Sequence, residues 1–283
     1  MKSLFKTLAT LSLAAALPLT LAACGSDSGG EGTDEATADT SPLRVGMEAG
    51  YAPFNWTQKD DSNNAAPIDG GGWAGGYDVA IAQAVAHYMG REIVVVKMDW
   101  DGLIPALTTG QIDMIVAGMS PTDERREAID FSDPYYTSDA VIVVRGDSEY
   151  AQATSLEDFA GAKITAQLGT IHYPLVEQIP GVDQQTAMDS FPTMVIAVKS
   201  GKIDGYISER PGALSAVAAN PELSFVAFEQ GQGFDVDQNE IAISVGVKQG
   251  SELTEQINQA LASISLDQRA QMMDQAIANQ PEG

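Results

Sequence analysis

Residues 101–120 read DGLIPALTTGQIDMIVAGMS, and ninety-one positions later residues 192–211 read PTMVIAVKSGKIDGYISERP. Leu103, Ile104, Ala106, Leu107, Gly110, Ile112 and Asp113 fall at the same spacing as Met194, Val195, Ala197, Val198, Gly201, Ile203 and Asp204. Each copy reads as a helix, a glycine that closes it, and a strand. Two similar units in two halves of one chain imply two similar α/β lobes. In open α/β sheets ligands lie beyond the carboxyl ends of strands. Those ends are Ala117-Gly118-Met119-Ser120 in the first copy and Ser208-Glu209 in the second. If the lobes face each other, both ends line one cleft. The competing reading is a common helix-to-strand turn that recurs by chance.

The flanking sequence keeps the same alternation. LRVGM, beginning at Leu43, is a short strand, followed by the loops EAGYAPFNW and DSNNAAPIDGGGWAGG, which Gly, Pro and Asn punctuate. Tyr77 to Gly90 places Val79, Ala82, Val85, Ala86 and Met89 at helical spacing and stops at a glycine. EIVVVKM is a strand, DGLIPALTTG a short helix and IDMIVAG another strand. Strand and helix in turn predict parallel α/β layers.

Composition narrows the function. The chain has 283 residues, comfortable for two domains, and a formal charge of −24 from 15 Lys and Arg against 39 Asp and Glu. Such acidity excludes phosphate backbones as natural partners, so no nucleic acid is expected. Solubility accounts for it, with attraction of cationic ligands as the second reading.

Residues 1–23 have a separate job. Lys2 and Lys6 precede an apolar run that ends in Leu21-Ala22-Ala23-Cys24, the pattern of a basic n-region, a short h-region and a small-residue cleavage site. Cys24 is the single cysteine, so no intramolecular disulfide or cysteine-rich metal site can form. Leu-Ala-Ala-Cys resembles the bacterial lipobox, which implies lipidation of Cys24; a plain secretory signal is the alternative. Residues 24–42, rich in Gly, Ser, Thr and acid, read as a flexible acidic tether that cannot bury a core.

SPTDERREAI follows the first strand end. Ser120 suits an N-cap, Pro121 the first helical position and Asp123 the third. Arg125 and Arg126 then fall early in a helix, the unfavourable end of its dipole for cations. Local pairing with Asp123, Glu124, Glu127 or Asp130 would account for them, as would an anionic ligand.

GYDVAIAQAVAHYMG, DWDGLIPALTTGQIDMIVAGMSPTDERREAIDFSDPYY, AQLGT and DGYISERPG, in this order, resemble the extracellular solute-binding proteins of family 3, the polar amino acid receptors of ABC importers. The resemblance runs from about Leu43 to the C-terminal helices, with one departure: the second acid often found after GYD is here Ala80. It implies a periplasmic-binding-protein-like α/β fold of type II, two lobes joined by a two-segment hinge. Residues 43–138 and 241–283 would form the first lobe and 139–240 the second, with crossovers near 139–144 and 234–241.

The same resemblance implies the site. Arg125 would clamp the ligand carboxylate through a bidentate fork, and Thr170 would add a hydroxyl and an N–H from the other lobe. Glu209 stands where the family usually has an Asp for the α-ammonium, with Gly118 and Ser120 completing that cage. Tyr51 and Trp100 match positions that stack on the side chain, and Glu48 would sit near its tip. His172 and Phe54 lie close enough in sequence to be further contacts, whereas His87 reads as a surface histidine. One acid, two π faces and no nearby Lys or Arg around the side chain favour a basic amino acid such as lysine, arginine or histidine, with glutamine as the alternative. The expected partners are a free L-amino acid, the permease and ATPase of an ABC importer, and a membrane through lipid on Cys24, the protein itself being a monomer on the outer face of the cell membrane. No spacing for Ser-His-Asp catalysis, a metal cluster or a phosphate loop is present, so neither cofactor nor metal nor enzymatic activity is expected. The weaker rivals are a dehydratase acting on prephenate-like acids and a sensory module.

Overall fold

A computed structural model of the chain describes residues 40–229, 231–237 and 241–281. Residues 1–23, read as a signal, Cys24 and most of the segment read as a tether lie outside the described residues. Two five-stranded sheets dominate. The first runs, edge to edge, through Ile93–Lys97, Leu43–Met47, Met114–Ile115, Ala242–Lys248 and Ile129–Thr137. The second runs through Asp183–Gln184, Lys163–Thr165, Gly205–Glu209, Ala140–Arg145 and Leu223–Val226. In both sheets the first three strands are parallel and the last two antiparallel to their neighbours. The two lobes foreseen from the repeat therefore share one topology.

The repeat itself is built alike in both lobes. Helix Leu103–Thr108 ends before Gly110 at φ +77, and helix Phe191–Lys199 before Gly201 at φ +72. The left-handed region that each glycine enters is costly for other residues. Gln111 N–H then donates to Ala106 O at 2.8 Å and Lys202 N–H to Ala197 O at 2.9 Å, turning the chain into the next strand. The first of these strands is shorter than IDMIVAG suggests, with only Met114–Ile115 in regular pairing.

The chain passes from the first sheet to the second between Thr137 and Ala140, and back between Val226 and Ala242. Residues 140–144, expected as part of a crossover, are strand instead, because Val141 to Val144 are all buried between layers. The short crossing carries Asp139, whose carbonyl accepts the Arg210 N–H at 3.0 Å and whose carboxylate pairs with the guanidinium at 2.8 Å. Along strand Ala140–Arg145, Val141 and Val143 join one core cluster and Ile142 and Val144 another, the period-two alternation of a strand buried on both faces.

Helix Tyr77–Tyr88 covers the first sheet with Tyr77, Val79, Ile81, Ala82, Val85 and Ala86 buried, while His87 is exposed. A small antiparallel sheet, Gly50–Tyr51, Asn55–Gln58, Trp73–Gly75 and Ala66–Pro67, rises from the end of strand Leu43–Met47. It carries Tyr51 toward the second lobe. Among the described residues no helix is long and apolar enough to cross a membrane.

Candidate functional site

Glu48, Tyr51, Trp100, Gly118, Ser120, Arg125, Thr170 and Glu209, from segments spread over 162 positions of sequence, all line one cavity between the lobes. Ala117, Gln167, Ile171, His172 and Phe191 complete its wall. The reason is topological. Glu48 follows strand Leu43–Met47, Ala117 to Ser120 follow Met114–Ile115, Gln167 to Thr170 follow Lys163–Thr165, and Glu209 ends Gly205–Glu209. Every one of these is the carboxyl end of a parallel strand.

Arg125 holds one end of the cavity. Its Nη1 donates to Ser120 O at 2.7 Å and its Nη2 to Gly169 O at 2.9 Å, while its guanidinium lies 5.2 Å from the Trp100 ring centre. Burial lowers its pKa to about 10. None of these hydrogen bonds goes to the local carboxylates. The helix here is only Asp123–Arg126, and its cap is Thr122, whose side chain accepts Arg125 N–H at 3.3 Å. Ser120 is therefore not the cap that the sequence suggested. Pro121 and Thr122 stay outside the helix, and the Ser120 carbonyl serves the Arg125 side chain instead.

Glu209 stands at the end of strand Gly205–Glu209, buried. The Tyr51 hydroxyl donates to its Oε2, and His172 Nε2 lies 3.4 Å from Oε1. Among the described residues no Lys or Arg pairs with it, Arg210 bonding Asp139 instead, and burial pushes the Glu209 carboxyl up to about 8. Burial, with the positive charge of Arg125, pushes His172 down to about 4, so the imidazole is neutral. Both groups are thus driven toward their uncharged forms. Glu48 shows the same effect, burial raising it to about 7 against a hydrogen bond from Gln167 Nε2 at 2.9 Å.

Of the remaining residues, Trp100 and Tyr51 join the lobes. Trp100 Nε1 donates to Gly169 O at 3.0 Å, across the cleft. Tyr51, expected to cover a ligand side chain, is stacked on Phe191 at 3.9 Å and on Phe54 at 5.1 Å. Its ring belongs to the joint between lobes as well as to the cavity wall, where Trp100 and Phe191 are the other aromatic residues. Phe54 is fully buried behind Tyr51 and does not line the cavity. Thr170 Oγ1 donates to Gln167 O at 2.8 Å and accepts the His172 N–H at 3.3 Å, which fixes the turn. Gly118, at φ +68, donates its N–H to the Tyr135 hydroxyl at 3.3 Å. That hydroxyl donates in turn to buried Asp78 at 2.7 Å, which also accepts from Asn55 at 2.8 Å. The acid of GYD therefore supports the site from behind.

Sequence reasoning missed Gln167 and Phe191 as wall residues. Gln167 carried a usable signal, since it follows a strand just before the glycine of AQLGT. Phe191 carried none, because its place depends on how the lobes meet.

Sequence comparison completes the picture. The profile of the bacterial extracellular solute-binding proteins, family 3, matches residues 43–277. The chain belongs to this family. Among its similar members, a protein named probable histidine-binding protein from Campylobacter jejuni is 35% identical over 233 residues, covering 81% of this chain and 84% of its own. The arginine-binding extracellular protein ArtP of Bacillus subtilis is 32% identical over 256 residues, covering 89% of each chain. In structure, an amino acid ABC transporter substrate-binding protein from Streptococcus pneumoniae bound to L-arginine is similar, with a TM-score of 0.72 at 28% identity, covering 84% of this chain and 94% of that one. The two-lobe type II fold of family 3 is thus the fold of this chain.

Proposed function

We propose that this family 3 protein is an extracytoplasmic receptor that captures a basic amino acid between its lobes and delivers it to an ABC importer. The observation that carries this reading is the charge inventory of the cavity wall: one guanidinium, Arg125, against two carboxylates, Glu48 and Glu209. A ligand with one carboxylate and two cationic groups matches it, and lysine, arginine and histidine in its protonated form are such molecules. Arg125 would take the carboxylate, Glu209 with the Gly118–Ser120 turn the α-ammonium, and Glu48 the side-chain cation, with Trp100 as a π wall. A cation beside each carboxylate would restore its charged form against the burial that now disfavours it. The names of the relatives, which bind histidine or arginine, agree with this assignment. Glutamine is the alternative, since an amide could bond Glu48 without a charge.

In this reading residues 43–138 and 241–283 form the first lobe and 139–240 the second. Residues 1–23 are a lipoprotein signal and 24–42 the tether that holds a monomer to the membrane through Cys24. The protein works by binding rather than by catalysis. Calorimetric titration of verified ligand-free protein with the twenty amino acids tests the receptor, and binding by none of them defeats it. Cys24→Ser should release the protein from the membrane fraction; unchanged retention removes the anchor.

A further inference from the structure

Gln167 is nearly inaccessible, 1% exposed, and stands in the cavity wall. Its backbone is fixed on both sides, Leu168 N–H donating to Met188 O at 2.8 Å and Met188 N–H to Ala166 O at 3.1 Å. Its amide nitrogen is fully used, donating to Glu48 Oε1 at 2.9 Å and to Asp189 O at 3.0 Å. These two acceptors also settle the orientation of the amide, because the flipped form would set its oxygen against the Asp189 carbonyl. What remains is Oε1, buried and without a hydrogen-bond partner. A buried acceptor left unpaired costs free energy comparable to a lost hydrogen bond, and native structures seldom keep one without a use.

We propose that Gln167 is a specificity-determining residue: its Oε1 and the Glu48 carboxylate form a pair of acceptors, one from each lobe, that selects a side chain ending in a planar fork of N–H donors, as a guanidinium does. The inference rests on the proposed basic-ligand reading and names which basic head fits. The amide joins the two acceptors rigidly, since its own nitrogen is bonded to Glu48. A guanidinium carries five donors in one plane and can serve the carboxylate and the amide oxygen together. A lysine ammonium meets Glu48 as a point charge and gains less from the second acceptor. The pair exists only while the lobes are closed, because Glu48 belongs to the first and Gln167 to the second. Arginine would therefore favour closure through its head as well as its zwitterion.

Calorimetric titrations of the full chain and of Gln167→Met with arginine, lysine and glutamine test this. Methionine keeps the volume and removes the acceptor. Arginine affinity should fall about tenfold, the scale of one lost hydrogen bond, and lysine affinity less than threefold. Gln167→Glu, which retains an acceptor, should keep the preference for arginine over glutamine and so serves if the methionine variant folds poorly; loss of that preference counts against the proposal. Arginine binding undiminished in Gln167→Met, or an equal loss for all three ligands, overturns this inference alone. A parent chain that binds no basic amino acid overturns the basic-ligand reading and this inference with it.

Discussion

Asp113 and Asp204, ninety-one positions apart, make the same bracket in the two lobes. Asp113 Oδ2 accepts the N–H of Arg44 at 2.8 Å and its own N–H donates to Arg44 O at 2.9 Å. Asp204 Oδ2 accepts the N–H of Lys163 at 2.8 Å and its N–H donates to Lys163 O at 2.9 Å. Each aspartate therefore ties the start of its own strand to the start of the central parallel strand beside it. Gly-x-Ile-Asp recurs because only a short acceptor directly before the strand can reach that N–H. Asp113 also accepts from Arg44 Nε at 3.1 Å and Nη2 at 2.7 Å, an addition that Lys163 does not supply.

Replacing these brackets should cost stability in a fixed order. Asp204→Ala is expected to lose about 1 kcal/mol for its backbone bond. Asp113→Ala should lose roughly 1–2 kcal/mol, since the half-exposed Arg44 fork adds little through solvent. Urea unfolding reads both, and two variants as stable as the parent would mean that the ladder alone holds these strands.

Glu48→Gln separates a basic ligand from a neutral one. It should weaken arginine or lysine by about 1–3 kcal/mol, because a cation loses its countercharge, and should change glutamine much less. Calorimetry on the three ligands decides it; undiminished arginine and lysine affinity, or tight glutamate binding by the parent, counts against Glu48 as the side-chain counterion.

Gly169 receives two of the cross-cleft bonds, from Trp100 and Arg125, at φ +69. A Cβ there would meet Asp101 Oδ1 at 2.8 Å and the Trp100 ring at 3.3 Å, both on the opposite lobe. Gly169→Ala should cost about 1 kcal/mol of backbone strain. It should also hold the lobes apart, so that ligand affinity falls about tenfold as the closed fraction shrinks. Small-angle scattering with saturating ligand should show a more extended particle than the parent; an equally compact one would show that the clash is relieved without opening.

Stability should depend on pH in a direction set by the site. Glu48 and Glu209, raised to about 7 and about 8, bind protons more tightly folded than unfolded, so they lower stability as pH rises from the usual carboxylate range to about 8. Asp78, raised to about 6 by burial, acts the same way up to that pH. His172, lowered to about 4, binds protons less tightly folded, so it raises stability with pH up to its ordinary 6.5. The opposing effects overlap below 6.5, and above it only the fall from Glu48 and Glu209 remains. Melting temperature without added amino acid should therefore drop between pH 6.5 and 8. Arginine should reverse this, binding more tightly as pH rises and releasing protons near pH 6.5, which calorimetry in buffers of different ionisation enthalpy measures. Affinity that falls over this range would contradict the placement of two ligand cations beside these carboxylates.

Period and spacing determined much of this protein in advance. The helix at Tyr77, the doubled helix-glycine-strand unit and the strand ends that line the cleft are local matters: side-chain periodicity, a left-handed glycine and the carboxyl-end rule need only neighbouring residues. The ordered motifs and their resemblance to family 3 then implied that Arg125, Glu209, Thr170 and Glu48 share one cavity, which the strand-end rule supports for those that follow a strand. Tertiary structure alone decided what those groups touch. Val141 to Val144 became strand through burial on both faces, which a hinge would lack. The cap is Thr122 because the helix starts only at Asp123, where the Thr122 hydroxyl can reach the Arg125 N–H. Tyr51 became part of the joint because Phe191, remote in sequence and without a motif, arrives from the other lobe. Gln167 acquired its unpaired oxygen only when Glu48 and the Asp189 carbonyl took its nitrogen. Such contacts join residues tens of positions apart, and no pattern along the chain encodes the distance between two lobes that close on each other.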